Sequence, residues 1–148
     1  MPLIDVYAVE DTLAPETASA LLEELATILL RWEGAPDTEF FREITWVYLH
    51  PLPATALAVG GRPGGSPRFR VEITVPAGAL SQRRKEGLVA DVHAAVTAAA
   101  GLEPERALHV WTLIREVPDG NWGAAGQVIR FSDLLAVSGA EREKVAES

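Results

Sequence analysis

The chain has 148 residues, 48% of them hydrophobic and 23% charged, a composition suited to one globular domain and not to a disordered tail. Its 13 basic and 21 acidic side chains leave a net charge of −8, which argues against binding nucleic acid or an anionic membrane by bulk charge. With no Cys there are no disulfides, thiolate metal sites or thiol catalysis, and no cofactor is expected. No apolar run reaches ~18 residues and no basic-then-apolar leader opens the chain, so a cytoplasmic location is expected.

In chain order, Ile4, Val6 and Ala8 alternate as a strand does, predicting one over 2–9. Leu21, Leu22, Leu25, Ile28, Leu29 and Trp32 recur at the spacing of one helix face, predicting a helix over 15–33. Pro15 suits its first turn, and Gly34 its left-handed end. A second strand is predicted over 43–50. The segment Gly60-Gly61-Arg62-Pro63-Gly64-Gly65-Ser66-Pro67-Arg68 reads as a linker. The order then repeats: a strand over 69–75, a helix over 82–100 begun by Ser81 and ended by Gly101, and a strand over 107–116. Leu88, Val89, Val92, Ala95, Val96 and Ala99 form the second helical stripe. Shifting by 67 residues carries Ile4 onto Val71, Leu13 onto Leu80, Gly34 onto Gly101, Ile44 onto Trp111 and Pro51 onto Pro118. A shared offset across strand, helix and cap marks a duplication. Residues 122–131 are expected to return as a short hairpin or edge strand after the turn Pro118-Asp119-Gly120-Asn121, and 139–148 to fray.

The expected fold class is therefore α/β (α+β): two tandem β-α-β units joined into one four-stranded sheet, both helices on one face, plus a C-terminal hairpin. The units are 1–60 and 69–131, with a linker over 61–68 and a tail over 132–148, in one structural domain. The other sheet face would carry Leu3, Asp5 and Tyr7 in unit one and Arg70, Glu72 and Thr74 in unit two, a mixed surface suited to covering by further subunits.

The opening Met1-Pro2-Leu3-Ile4 offers a distinct chemistry. Removal of Met1 would leave Pro2 as a rigid secondary amine, and desolvation or a nearby cation lowers an amine's pKa toward the range useful to a general acid or base. A duplicated β-α-β unit, the opening Pro2-Leu3-Ile4-Asp5 and the closing run Glu116-Val117-Pro118-Asp119-Gly120-Asn121-Trp122-Gly123-Ala124-Ala125-Gly126 together resemble the tautomerase superfamily over residues 2–131. The closing run is similar to the 4-oxalocrotonate tautomerase pattern, with Trp122 at the active-site aromatic position. The fused length resembles the cis-3-chloroacrylic acid dehalogenase and malonate semialdehyde decarboxylase branches. The resemblance implies a homotrimer, catalysis by Pro2 and one site per chain, since the duplicate position, Phe69, is internal.

The chain also departs from these relatives. Positions matching the family's carboxylate-holding arginines carry Thr12, Ala79, Ile44 and Trp111; those matching the dehalogenase's arginine pair carry Pro76 and Ala79, and its late Glu falls near Ala124. The decarboxylase's loop Asp falls at about Glu39. Substitute cations are Arg115 and Arg70 first, then Arg31, with Arg42, Arg62 and Arg68 also available. Tyr48 and His50 share a strand face. The expected activity is keto-enol tautomerisation of a small enol or 2-keto acid by Pro2, with Arg115, Arg70, Trp122, Tyr48, Arg31 and Glu39 as candidate substrate contacts. The alternatives are a Pro2-dependent hydratase or dehalogenase with Glu39 activating water, and a non-catalytic oligomeric relative.

Overall fold

The computed structural model describes all of residues 1–148. Strand β1 (Leu3–Val9) buries alternate residues Ile4, Val6 and Ala8, as its period of two requires. Helix α1 (Pro15–Glu33) starts at its proline, buries Leu21, Leu25, Ile28, Leu29 and Leu30, and ends at Gly34 with φ 70°. A short helix, α2 (Glu39–Glu43), is capped by Thr38, whose hydroxyl accepts from Phe41 N at 3.4 Å, and it buries Phe41. Strand β2 (Trp46–Leu52) follows, then a single turn over Ala54–Ala56 and the tight hairpin β3 (Ala58–Val59) and β4 (Arg62–Pro63).

The second unit repeats the first. Strand β5 (Phe69–Pro76) leads to helix α3 (Gln82–Ala100), which Ser81 caps by accepting from Arg84 N and Gly101 closes with φ 60°. A 3₁₀ segment (Pro104–His109) precedes β6 (Val110–Val117), and a second hairpin follows, β7 (Gly123–Ala124) with β8 (Gln127–Val128). The chain closes with α4 (Phe131–Glu147).

The four long strands form one sheet in the order β2-β1-β5-β6, parallel within each unit and antiparallel where β1 meets β5. Ile4, Val6, Val71, Ile73 and Val75 face Leu25, Leu29, Leu88, Val92 and Val96 of α1 and α3 in one core. Each such side chain contributes about 1.5–3 kcal/mol by leaving water. This is the fold class expected from the sequence.

The repeat is tighter than one offset describes. Both helices obey the 67-residue shift end to end, 15–33 onto 82–100. Beyond the helices the register sets a shift of 65 (111 − 46): Leu3 pairs with Trp46, and its mate Arg70 pairs with Trp111. The two hairpins keep this shift, β3 onto β7 and β4 onto β8. Trp46 is therefore the mate of Trp111, and the expected pairings of Ile44 with Trp111 and Pro51 with Pro118 are corrected by two residues. The surplus lies between Gly34 and Trp46, where α2 forms, so β2 begins at 46 and not 43; similarly the 3₁₀ segment delays β6 from 107 to 110. An Arg42–Asp37 ion pair at 2.6 Å spans that connection.

Two further expectations change. The presumed linker begins inside the β3–β4 hairpin and contains β4; the hairpin's turn Gly60-Gly61 takes φ of 58° and 79°, conformations that an L side chain disfavours. The terminal stretch is helix α4, where a frayed tail was expected. It lacks a buried stripe and is held by polar ties, with Phe131 N donating to Asp119 and Arg142 to the Gly34 carbonyl.

Helices α1 and α3 pack closely at Gly87, where a Cβ would lie 2.1 Å from the Trp32 ring. That ring is pinned by its Nε1–H donating to Asp91 Oδ2 at 2.7 Å, and Arg31 meets the same oxygen at 2.7 Å. Alanine is favoured over glycine inside a helix by ~1 kcal/mol, yet Gly87→Ala is expected to cost about 1–3 kcal/mol net by overpacking, read as a lower urea midpoint. In a Trp32→Leu background the same change should become neutral or stabilising.

Candidate active site at the amino-terminal end of the sheet

Pro2 is buried immediately before β1, and its carbonyl accepts from Trp46 N at 3.3 Å, fixing the start of β1 against β2. Because β1 and β5 are antiparallel, the end of β5 lies beside this start. The helices run back along their strands, so α1 ends here with Glu33 and Gly34, and α3 begins here.

This end of the fold brings an amine and a carboxyl into mutual influence. Burial lowers the pKa of the Met1 amino group, one residue before Pro2, below its ordinary 8.0, and the Glu33 carboxylate opposes part of that fall. Burial likewise pushes Glu33 up to about 7, with the amino group pulling the other way. Loss of hydration disfavours the charged form of each, the ammonium and the carboxylate alike.

Two guanidinium groups flank the same place. Arg84, in the first turn of α3, donates from Nη1 to the Glu33 carbonyl at 3.3 Å, and Arg142 of α4 donates to the Gly34 carbonyl. Both satisfy carbonyls that the end of α1 leaves open. Glu33, Arg84 and Arg142 were missed in the sequence. Gly34 marks the end of a helix and hence Glu33's place on it, but nothing local reports that α3 and α4 converge there.

The residues singled out from the sequence are placed as follows. Trp122, partly buried, opens the β7–β8 hairpin, where Ile129 N donates to its carbonyl at 2.8 Å. Through the 65-residue shift Trp122 is the mate of Leu57, and Pro2 is the mate of Phe69 by 67. Leu57 and Phe69 line one cavity, so the duplication relates Trp122 to Pro2 as Leu57 to Phe69. Arg70 and Arg115 lie on the open sheet face, converging on Glu72 Oε1 at 3.5 and 3.2 Å. Arg115 shares a register row with Leu3 and Thr74, which places it toward the Pro2 end but on the opposite face from buried Pro2. Arg31 is taken by Asp91, Glu39 is exposed at the start of α2, and Tyr48 stands exposed on β2 opposite Asp5. His50 contacts Asp5 at 2.6 Å and stacks on Tyr7 at 4.4 Å. No cluster of three or more His, Asp or Glu side chains is arranged to hold a metal ion.

Residues 70–132 match the family model described as Tautomerase enzyme. No match to a curated protein sequence was found. Among solved structures, a fused 4-OT symmetric trimer is 22% identical with a TM-score of 0.72, covering 89% of this chain and 98% of its own. Pt0534, solved after inactivation by 2-oxo-3-pentynoate, is also 22% identical with a TM-score of 0.73 over 89% and 98%. N1, a member of the cis-3-chloroacrylic acid dehalogenase family, is 20% identical with a TM-score of 0.73 over 99% of both chains. Likeness at this identity speaks to the fold, and the family match covers the second unit. The chain shares the two-unit fold of these solved structures, and its second unit matches the Tautomerase enzyme family model.

Proposed function

We propose that the chain catalyses keto-enol tautomerisation of a small enol or 2-keto acid, with the secondary amine of Pro2, freed by removal of Met1, as general base and acid. The observation that carries this reading is the place of Pro2, buried at the start of β1 and held to Trp46 N, where the preceding Met1 amine is desolvated near Glu33. The amine takes the enol hydroxyl proton and returns a proton to the neighbouring carbon, so the net reaction is an isomerisation. Such transfer contributes about 10²–10⁴-fold in rate. Arg84 or Arg142 holds the substrate carboxylate by paired hydrogen bonds, a role that planar guanidinium geometry suits, and Trp122 excludes water. Inactivation of Pt0534 by a 2-keto acid, 2-oxo-3-pentynoate, supports this substrate class.

The fused 4-OT trimers among the structural relatives support a homotrimer whose subunits cover the open sheet face. No helix is long and apolar enough to cross a membrane, and we propose a cytoplasmic protein acting on a small molecule. The second reading, a Pro2-dependent hydratase or dehalogenase, is favoured by the likeness to N1 along nearly all of both chains. There protonated Pro2 donates to carbon while a carboxylate activates water; Glu33, near the amine, fills that part better than exposed Glu39.

The intact mass of the purified protein should lack one methionine. With phenylenolpyruvate, Pro2→Ala should lower kcat/KM by at least about 10²-fold; unchanged turnover would remove Pro2 from the mechanism. Glu33→Gln removes the anion that raises the amine's pKa, so the acidic limb of the pH–rate profile should move to lower pH.

Stability carries the same signature. A carboxyl raised from 4.5 to about 7 by folding binds more protons in the native state between those values, so stability falls as pH climbs through that window. The thermal midpoint of Glu33→Gln relative to wild type should therefore be higher at pH 8 than at pH 5.

A further inference from the structure

At the sheet end opposite Pro2, where β5 begins, lies a cavity of about 600 Å³, within the range that takes a small organic ligand. Its apolar walls include Leu57, Phe69, Leu108 and Trp111, and its polar groups are Tyr7, Arg68, Arg70 and His109. No carboxylate lines it, so a protein of net charge −8 holds here a pocket with two guanidinium groups and no acid.

Those cations are positioned by the chain itself. Arg68 Nη1 donates to Ser66 O at 2.8 Å and to His109 Nδ1 at 3.0 Å, which requires that ring nitrogen to be unprotonated. His109 lies below its ordinary pKa, through lost hydration first and then through the Arg68 and Arg106 charges. The Arg70 guanidinium lies over the Tyr7 ring, 4.2 Å from its centroid, while its Nε stands 3.5 Å from Glu72 Oε1, too far for a strong hydrogen bond.

The duplication explains why a cavity stands there. Phe69 occupies the position of Pro2 and Trp111 that of Trp46, and the β3–β4 hairpin supplies Leu57 where β7–β8 supplies Trp122. The internal position has no free amine, so acid–base chemistry of the Pro2 kind is absent from this end while its enclosing elements persist.

We propose that this cavity is a second ligand site, taking a small carboxylate with an apolar or aromatic body: the carboxylate on Arg68 and Arg70, the body against Phe69, Leu57 and Trp111. Aromatic and apolar walls with a few placed charges orient such a ligand, and the guanidinium forks select an anion over its neutral analogue.

Phenylacetate titrated calorimetrically into the intact protein should bind in the millimolar range, and phenylacetamide at least about tenfold more weakly. Arg68→Gln/Arg70→Gln should weaken phenylacetate by at least about tenfold, whereas Pro2→Ala should leave its affinity unchanged. Should the double variant not fold, Ala56→Trp, at an exposed wall of the cavity, should abolish binding by filling it. No binding of phenylacetate to the wild-type protein overturns the proposal, as would happen if another subunit filled the cavity. Binding that survives both the arginine change and Ala56→Trp, or that is lost in Pro2→Ala, places the ligand elsewhere and overturns it equally.

Discussion

The pairing of β1 with β5 organises the molecule. On the helix side its rows join Ile4 to Ile73 and Val6 to Val71, all completely buried. On the open side the same register sets Asp5 directly opposite Glu72. Two carboxylates across neighbouring strands repel, and Glu72 is largely buried as well. Each outer strand answers with a nitrogen-bearing side chain at the same place in its unit, His50 against Asp5 and Arg115 against Glu72. The mates by duplication are thus two diagonal polar pairs about the molecule's internal two-fold axis. Tyr7, stacked between His50 and Arg70, ties the pairs into one layer.

That axis decides where chemistry can occur. It sends the first residues of each unit to opposite ends of the sheet, and at the Phe69 end the β3–β4 hairpin of the other unit walls a cavity. Related backbone positions then have unlike neighbours: at one end Pro2, preceded by the Met1 amine with Glu33 near it, and at the other an internal Phe69 between Arg68 and Arg70. The first combination is the one proposed to move protons; the second is proposed to hold an anion without reacting with it.

Local signals were legible in the sequence wherever the structure is local. Both long helices run between their expected residues because Pro15, Ser81, Gly34 and Gly101 are boundary residues whose backbone requirements do not depend on distant packing. The open-face residues Leu3, Asp5, Tyr7, Arg70, Glu72 and Thr74 followed from alternation alone. The second strands slipped by two residues because one offset was carried past a connection that differs in length between units, and α2 took up the difference. Helix α4 escaped notice because it buries no stripe. The Pro2 surroundings were the least readable part. Arg84 reaches Glu33 across 51 residues and Arg142 reaches Gly34 across 108, and no spacing rule spans such distances.

The tie between α4 and Gly34 has a consequence for the order of assembly. Arg142 reaches the Gly34 carbonyl across 108 residues, so this clasp closes only after the intervening sheet has brought the end of α1 up to α4. Helix α4 contributes nothing to the core, so opening the clasp frees the helix and leaves the packed layer beneath it intact.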